Sequence, residues 1–397
     1  MQFWRNRIEG VQAFYINGLF RALFMSMTSI YVPVFLFMQG REQWGSTESG
    51  LLLVVAYYGL QRFLVILILF PISKLVERIG FRKSITWSAL CLIGYTVALV
   101  LAPQNMIWVW VSTAFMAINI PLYWLSRDSA LSQDIGSKVM GRSMGHIVVL
   151  ENIAGLLGPF AGGAIVAIFG YPALFMTVLL VLGLSIVPLW WMSPHTHRNG
   201  VSLKGFWYFL TNKRYLHQSV AVFGNALNDY GNSVIWPLAL FMQGITDEKM
   251  GAVYSLAGAV TIAVQYLSGR WFDRLRSRRD YADEGVYGIA SVGTSLSWIV
   301  RLFVSGLTQV ISIDLGRQLF GALYANFFSD YLHLGGRRMG SIAYWVYVEV
   351  MYSLGTVFLF GVMAIGIYTG VWREIVFVTI ALWSLATVVI ARESNMR

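Results

Sequence analysis

The chain has 397 residues, of which 57% are hydrophobic and 12% are charged. Soluble domains carry about 25% charged residues, so this composition disfavours soluble enzymes, disordered chains and coiled coils. Lysine and arginine exceed aspartate and glutamate by ten. Nucleic-acid-binding proteins can carry such an excess, but they rarely combine it with 15 Trp and 25 Phe. A membrane protein with positively charged loops on one side fits both observations.

Hydrophobic segments recur along the whole chain. A membrane helix needs about 20 mostly apolar residues, and with roughly ten residues of loop per span the length predicts about twelve spans. We place the spans near 12–38, 49–71, 84–103, 106–131, 141–168, 172–192, 215–243, 250–270, 285–304, 309–332, 340–368 and 372–391. The first is too long for the hydrophobic region of a cleavable signal peptide. The sequence therefore predicts an all-α membrane protein with twelve transmembrane helices.

The basic residues predict the orientation of these spans. If the N-terminus is inside, 21 of the 29 lysines and arginines fall in segments on the cytoplasmic side, and three fall on the opposite side. Such a bias over short loops follows the positive-inside rule. Both termini are thus expected in the cytoplasm, and the protein is expected to be integral to the cytoplasmic membrane if its source is prokaryotic.

Spans one and seven contain a repeat. Residues 29–40 read SIYVPVFLFMQG and residues 233–244 read SVIWPLALFMQG, with seven of twelve positions identical at an offset of 204. An offset of six spans predicts two parallel six-helix halves, with a substrate site between them. We therefore expect an N-terminal bundle at 1–192, a cytoplasmic connector with an interfacial helix at 193–214, and a C-terminal bundle at 215–397.

The loops after spans two and eight have similar sequences. Residues 73–83 read SKLVERIGFRK and residues 269–279 read GRWFDRLRSRR. Both resemble the G-x-x-x-D-R-x-G-R-[RK] signature of the major facilitator superfamily, although the first has Ser and Glu for the leading Gly and Asp, and the second lacks the later Gly. The resemblance implies a latch between the halves at the cytoplasmic side. The latch residues are Ser73, Glu77, Arg78, Gly80, Arg82, Gly269, Asp273 and Arg274. The alternative is a pair of positively charged loops with incidental ion pairs.

Span five contains the sequence Gly158-Pro159-Phe160-Ala161-Gly162-Gly163. It resembles a motif of antiporters in the same superfamily, with Ala154 in place of the preceding glycine. The resemblance implies export by antiport, with Gly158, Pro159, Gly162 and Gly163 as the motif residues. The alternative is that these glycines only permit close helix packing.

Seven charged residues lie at membrane depth, where such residues are rare and line cavities or pair with each other. They are Arg21, Arg62, Glu151, Asp229, Asp314, Arg317 and Glu349. In the superfamily that the chain resembles, the spans that carry them line the central cavity. Asp314 and Arg317 are three residues apart and are interpreted as a static pair. Arg301 is expected to reach the membrane surface, and Arg127 and Asp128 are expected to support the latch.

A carboxylate in a cavity can exchange a proton as its exposure to water changes. The candidates for proton coupling are Glu151, Asp229 and Glu349. The candidates for substrate binding are Arg21, Arg62, Asn17, Tyr58, Asn119, Tyr123, Asn225, Trp236, Gln265 and Arg317. The alternative is that the charges form ion pairs that only fix helix packing.

These observations predict a secondary active transporter of a small organic solute that works by alternating access, is coupled to protons and exports its substrate. The alternatives are a gradient-independent facilitator, or a non-transporting receptor or scaffold on the same fold. The expected partners are the lipid bilayer, the solute and protons, with the monomer as the functional unit. No cofactor, metal, nucleic acid or enzymatic activity is expected, since His195 and His197 lack further ligands and the G-x-S-x-G sequence at 141–145 follows no strand. Neither sign of substrate charge is favoured.

Overall fold

The computed structural model describes residues 16–133, 137–191, 203–212, 215–275, 281–339 and 342–388. Within these ranges the backbone consists of helices and short connections and contains no strand. The all-α prediction is confirmed for the described part of the chain.

The helices before the connector form the N-terminal half. They are α1 (16–28), α2 (Tyr31–Trp44), α3 (Thr47–Ile79), α4 (Phe81–Leu101), α5 (Ile107–Gln133) and α6 (Ser137–Ile186). Helix α6 is long because it contains two helices that meet at Gly170, where the backbone is not helical. A 3₁₀ turn at Val187–Trp191 follows it.

The connector contains a short helix, α7 (Leu203–Thr211), at the place where an interfacial helix was predicted. Trp207 and Tyr208 are exposed on it, whereas Phe209 is buried and stacks on Tyr347. The helices that follow form the C-terminal half. They are α8 (Leu216–Tyr230), α9 (Trp236–Met242), α10 (Asp247–Leu275), α11 (Tyr281–Val300), α12 (Leu307–Met339), α13 (Ile342–Thr369) and α14 (Trp372–Ala386).

Six described segments are long and apolar enough to cross a membrane by length and composition. They are Ile16–Trp44, Thr47–Ile79, Phe81–Leu101, Ile107–Ser129, Leu150–Trp190 and Ile342–Thr369. Leu150–Trp190 includes both helices that meet at Gly170, and therefore two of the predicted spans. Helices α8 and α9 are each short because a π-helical turn separates them. The total of twelve spans stays a prediction.

The outer surface of the bundle is apolar. Large hydrophobic side chains such as Ile168, Phe169, Leu180 and Trp190 are exposed there. A soluble protein rarely exposes apolar side chains over so much of its surface, whereas lipid tails make this arrangement favourable.

Spans one and seven are interrupted at equivalent positions. A short turn separates α1 from α2, and the π-helical turn Gly231–Ile235 separates α8 from α9. Pro33 has no N–H to donate to the carbonyl of Ser29, and Pro237 likewise has none for Ser233. The repeated Ser-Pro spacing therefore coincides with a break in both halves. Interrupted membrane helices of this kind occur at the binding regions of transporters.

Tight turns mark one end of the bundle, which we call the turn end. Four glycines in these turns have φ between 74° and 83°, a left-handed conformation that glycine adopts without strain. They are Gly45, Gly170, Gly244 and Gly370. The turns of both halves lie at the same end, because the Tyr171 hydroxyl beside one turn donates to Asp247 Oδ1 beside another at 2.9 Å.

The two halves pack closely near the turn end. The rings of Phe37 and Phe241, which are equivalent in the repeat, meet edge to face with centroids 6.1 Å apart. Helices α6 and α10 approach so closely that a Cβ on Gly251 would lie 2.5 Å from the Pro159 carbonyl oxygen. The same carbonyl accepts a hydrogen bond of 2.5 Å from Tyr31. These contacts hold the two halves together near this end.

Candidate functional site

A central cavity of about 620 Å³ lies between the halves. Helices α1 to α6 line it from the N-terminal half, and α8, α12 and α13 line it from the C-terminal half. The predicted site residues on its wall are Arg21, Tyr58, Arg62, Asn119, Tyr123, Glu151, Asn225, Asp229 and Glu349. Side chains that are far apart in the sequence therefore meet around one space.

An ion pair crosses this space from one half to the other. Arg62 Nη1 on α3 donates to Glu349 Oε1 on α13 at 2.5 Å. Arg62 Nε donates to the Tyr230 hydroxyl on α8 at 2.7 Å. Arg62 is 6% exposed, so the pair is shielded from solvent and interacts more strongly than a surface pair. Two of the predicted charges thus join the halves directly.

Aromatic rings surround this ion pair. Tyr58 stacks on Phe360 of the other half with ring centroids 5.5 Å apart and an interplanar angle of 12°. The Arg62 guanidinium carbon lies 5.2 Å from the ring centre of Tyr230 and 4.9 Å from that of Tyr352. Tyr230 and Tyr352 were not among the predicted site residues. The sequence could have indicated both tyrosines, because Tyr230 directly follows Asp229 and Tyr352 lies one helical turn after Glu349.

Arg21 is a cation of the cavity wall with uncharged partners. Its guanidinium donates to Ser88 Oγ at 3.2 Å and to Asn119 Oδ1 at 2.9 Å. It also lies over the Tyr123 ring, 3.5 Å from the centroid. None of the described carboxylates forms an ion pair with it. Its positive charge is therefore held in place without being neutralised.

Asp229 is a carboxylate of the wall whose hydrogen bonds come from uncharged groups. Its Oδ2 accepts from Asn225 Nδ2 at 2.8 Å and from the Tyr352 hydroxyl at 3.0 Å. Asn225 lies one helical turn before it on α8, and Tyr352 comes from α13. The structure thus holds one carboxylate in the cavity without a cationic partner among the described residues.

Arg127 and Asp128, which are expected to support the latch, also line the cavity, and their role in the latch stays a prediction. Arg127 Nη2 donates to Glu151 Oε1 at 2.5 Å. Arg127 faces the cavity because it lies one helical turn after Tyr123 and shares its face of α5. Glu151 is therefore an ion-paired carboxylate.

Two interpretations of charges in the C-terminal half are wrong. Arg301 does not reach the surface, since it is 1% exposed and donates to Asp314 Oδ1 at 2.6 Å. Its guanidinium lies between the rings of Trp236 and Trp298, 4.3 Å and 4.4 Å from their centroids. Asp314 thus pairs with Arg301 and not with Arg317. A 3₁₀ turn at the end of α11 directs Arg301 inward, and local sequence spacing does not reveal this.

Four predicted binding residues are not on the wall of the central cavity. Asn17 donates to the Ser185 carbonyl at 2.8 Å and is buried. Trp236 is fully buried and donates to Asp314 Oδ2 at 2.9 Å. Gln265 accepts from Asn152 of the other half at 2.5 Å. These side chains hold helices together. Arg317 lines a second cavity that adjoins the first.

The sequence model of the Major Facilitator Superfamily matches residues 14–358. The chain belongs to this superfamily. It is accordingly an integral multi-pass membrane protein and a solute transporter, not an enzyme. No match was found among curated proteins.

Several solved structures share the fold of this superfamily member. A POT family transporter in complex with 5-aminolevulinic acid superposes with a TM-score of 0.73 at 10% identity, covering 96% of this chain and 95% of the other. A peptide transporter POT in complex with sulfate gives 0.71 at 12% identity, covering 98% and 94%. The human organic anion transporter MFSD10 (TETRAN) gives 0.68 at 13% identity, covering 97% and 99%. At such low identities the likeness concerns the fold alone.

The first copy of the superfamily's loop signature joins α3 to α4. Gly80, with a φ of 80°, forms the turn between them. Ser73 is fully buried and donates to the Phe70 carbonyl at 2.7 Å, so a small residue fits here as the signature requires. For the second copy, the structure describes neither the packing around Gly269 nor the side chains of Asp273 and Arg274. The latch stays a prediction.

The helix-five motif packs against α1, α2 and α10. A Cβ on Gly158 would lie 1.9 Å from Ser26 Oγ, and one on Gly162 would lie 2.6 Å from the Tyr31 ring. A Cβ on Gly163 would lie 2.8 Å from the Asp247 carbonyl oxygen of the other half. The motif glycines thus allow helices of both halves to approach, and their observed role is packing.

Proposed function

We propose that the chain is a secondary active transporter that moves a small organic solute by alternating access, with protons as the coupling ion. The ion pair between Arg62 and Glu349 is the observation that carries the proposal. It lies on the cavity wall and joins α3 to α13. Alternating access requires the halves to move relative to each other, so a link between them has to form and break in each cycle.

A proton provides the means to break this link. Protonation removes the charge of the Glu349 carboxylate and with it the attraction to Arg62. The Tyr230 hydroxyl, which accepts from Arg62 Nε, remains as an uncharged partner. Asp229 is the second proposed proton site, because only uncharged groups donate to it. Glu151 is the third, with Arg127 as its partner.

The contacts at the turn end support the same proposal. Helices α2, α6, α9 and α10 meet there through the rings of Phe37 and Phe241 and the close approach of Pro159 and Gly251. One end of the cavity is therefore closed, as one of the two states of an alternating-access transporter requires. We place this end outside the cell, in accordance with the positive-inside rule.

Export by proton antiport is the direction we propose, and it rests on the resemblance of the helix-five motif. We propose the monomer as the functional unit, because the cavity is built from one chain. Among the structures that share the fold, the names of some mention 5-aminolevulinic acid, peptides or organic anions. These names suggest small polar organic molecules as the first compounds to test.

The experiment starts with a thermal-shift screen of purified protein against organic anions, organic cations, sugars and lysolipids. The compound that stabilises the protein most is then supplied outside liposomes that contain the protein, and its uptake is measured with and without a pH gradient. We expect the gradient to drive accumulation. Glu349→Gln is expected to lower uphill accumulation by at least about tenfold, while binding of the compound persists.

Glu42→Gln is the matched control, since Glu42 is an exposed carboxylate far along α2. It is expected to transport as the unmodified protein does. Uphill transport that survives in Glu349→Gln, Asp229→Asn and Glu151→Gln alike would contradict the coupling assignment. Flux that follows the solute gradient alone identifies a facilitator, and no flux of any stabilising compound identifies a receptor or scaffold. The sign of the pH gradient that drives accumulation decides between export and import.

A further inference from the structure

A second cavity of about 480 Å³ adjoins the central one. Both cavities have Ser29, Asn225, Asp229 and Ser233 on their walls, so one bound molecule can extend from the first space into the second. Most of the remaining polar wall consists of uncharged amides and hydroxyls. They include Asn152, Asn228, Asn232, Thr261 and Gln318. Arg317 is the cation of this wall within the described residues.

The carboxylate nearest to Arg317 along its own helix is already engaged. Asp314 lies one turn before Arg317 on α12, but its Oδ1 accepts from Arg301 at 2.6 Å and its Oδ2 accepts from Trp236 at 2.9 Å. Arg301 is buried between two indole rings and cannot move away without losing these contacts. The ion pair of Arg301 therefore leaves Arg317 without the partner that its sequence position suggests.

The other carboxylate on this wall, Asp229, accepts hydrogen bonds from Asn225 and Tyr352. None of the described ion pairs includes Arg317. Arg317 Nε is buried and has no acceptor among the described residues. A guanidinium whose Nε is buried without an acceptor is unfavourable, and the arrangement becomes more favourable once an anion binds beside it.

We infer that the second cavity is a subsite for an anionic group of the solute, and that Arg317 binds this group. The group is a carboxylate or a phosphate, because both match the paired donors of a guanidinium. The amides around Arg317 form hydrogen bonds with the polar part of the solute next to it. The inference rests on the proposed transport function in so far as the ligand is the transported solute, but its test needs only binding.

The test uses the full-length purified protein and pairs of probes that differ in one group. Succinate is compared with succinamide, and glycerol 3-phosphate is compared with glycerol, each titrated in a thermal-shift assay. The expected result is that at least one anion stabilises the protein while its uncharged partner does not. Arg317→Gln is expected to weaken binding of that anion by at least about tenfold, and Arg317→Lys is expected to retain part of it.

Two substitutions of glutamines on α12 test the subsite without changing Arg317. Gln318→Glu places a carboxylate on the wall of the second cavity beside Arg317, and it is expected to weaken anion binding about as much as Arg317→Gln. Gln309→Glu adds the same charge to an exposed position of the same helix. It is expected to leave anion binding unchanged.

Equal stabilisation by the charged and uncharged probes, or unchanged anion binding in Arg317→Gln, would overturn the inference. The inference would also be overturned if neither succinate nor glycerol 3-phosphate stabilised the protein. The result of this binding test does not depend on whether the protein transports the anion. Anion binding that requires Arg317 without any flux would leave the subsite in place and remove the transport proposal, whereas proton-coupled flux of a solute that binds without Arg317 would do the reverse.

Discussion

The N-terminal and C-terminal halves share a local backbone feature but differ in where they keep their polar side chains. The first span of each half breaks near a Ser-Pro pair, at Ser29 and Pro33 and at Ser233 and Pro237. Yet five of the six segments that qualify as membrane-crossing by composition belong to the N-terminal half. The internal repeat therefore extends to the backbone, while the chemistry of the two halves has diverged.

One arginine from each half illustrates the difference. Arg21 of the N-terminal half faces the central cavity, with Ser88, Asn119 and the Tyr123 ring as its partners. Arg301 of the C-terminal half is buried behind the second cavity and is neutralised by Asp314. The comparison shows that a charge at membrane depth can either belong to the site or support the wall behind it.

The largest effect is expected from removing the charge of Arg301. In Arg301→Gln the buried Asp314 loses its counter-charge, and loss of one partner of a buried pair costs about 3–5 kcal/mol. In Arg21→Gln the groups left behind are uncharged, so the expected cost is about 1–3 kcal/mol. Thermal unfolding of the detergent-solubilised proteins measures both.

The double variant Arg301→Met/Asp314→Leu controls for the charge left behind. Since neither buried charge remains, it is expected to be more stable than Arg301→Gln. Equal destabilisation by Arg301→Gln and Arg21→Gln would remove the distinction between the two arginines.

A smaller effect is expected at the contact between the halves. A Cβ on Gly251 would lie 2.5 Å from the Pro159 carbonyl oxygen and 2.6 Å from the Tyr31 hydroxyl, so Gly251→Ala is expected to destabilise the closed turn end by about 1–3 kcal/mol. The pair Phe37→Cys and Phe241→Cys, in a Cys91→Ala background, reports closure through cross-linking by a short bifunctional thiol reagent. The expected result is a lower cross-linking yield in Gly251→Ala.

Gly155 provides the matched control on the opposing helix, because a Cβ there would meet no atom within 4 Å. Gly155→Ala is expected to leave the cross-linking yield unchanged. If both alanine variants gave the unmodified yield, the close approach of α6 and α10 would not be needed to close this end.

The smallest effect is expected from pH at the same end. Asp247 precedes the eighth predicted span, and partial burial raises the pKa of its carboxyl group. The folded protein then binds more protons than the unfolded chain between the ordinary pKa and the raised one, so this group stabilises the fold as pH falls through that window. The thermal unfolding midpoint of the unmodified protein should carry this contribution as pH falls from the raised pKa toward the ordinary carboxyl pKa.

Asp247→Asn keeps an acceptor for the Tyr171 hydroxyl but cannot titrate, so it should lack that contribution to the pH dependence. A pH profile of Asp247→Asn that coincides with the unmodified profile would show that this carboxyl group does not contribute to the pH dependence of stability.

Several features of this protein followed from the sequence alone, because they depend on composition and short spacing. Helical segments, the Ser-Pro repeat of spans one and seven and the superfamily signature in the first loop are all local. The central cavity was anticipated in part, since charged side chains at membrane depth gather where they avoid lipid. Arg62, Glu349, Asp229 and Arg21 were found in this way.

The pairing of these charges was decided only by the tertiary structure. Asp314 lies one turn from Arg317 but pairs with Arg301, and Arg127 reaches Glu151 on another helix. Ion pairs form between groups that packing brings within a few ångströms, and helix packing depends on the whole bundle rather than on neighbours in the chain. The sequence determined which residues carry charge into the membrane, and the fold determined that Arg317 has no ion-pair partner among the described residues.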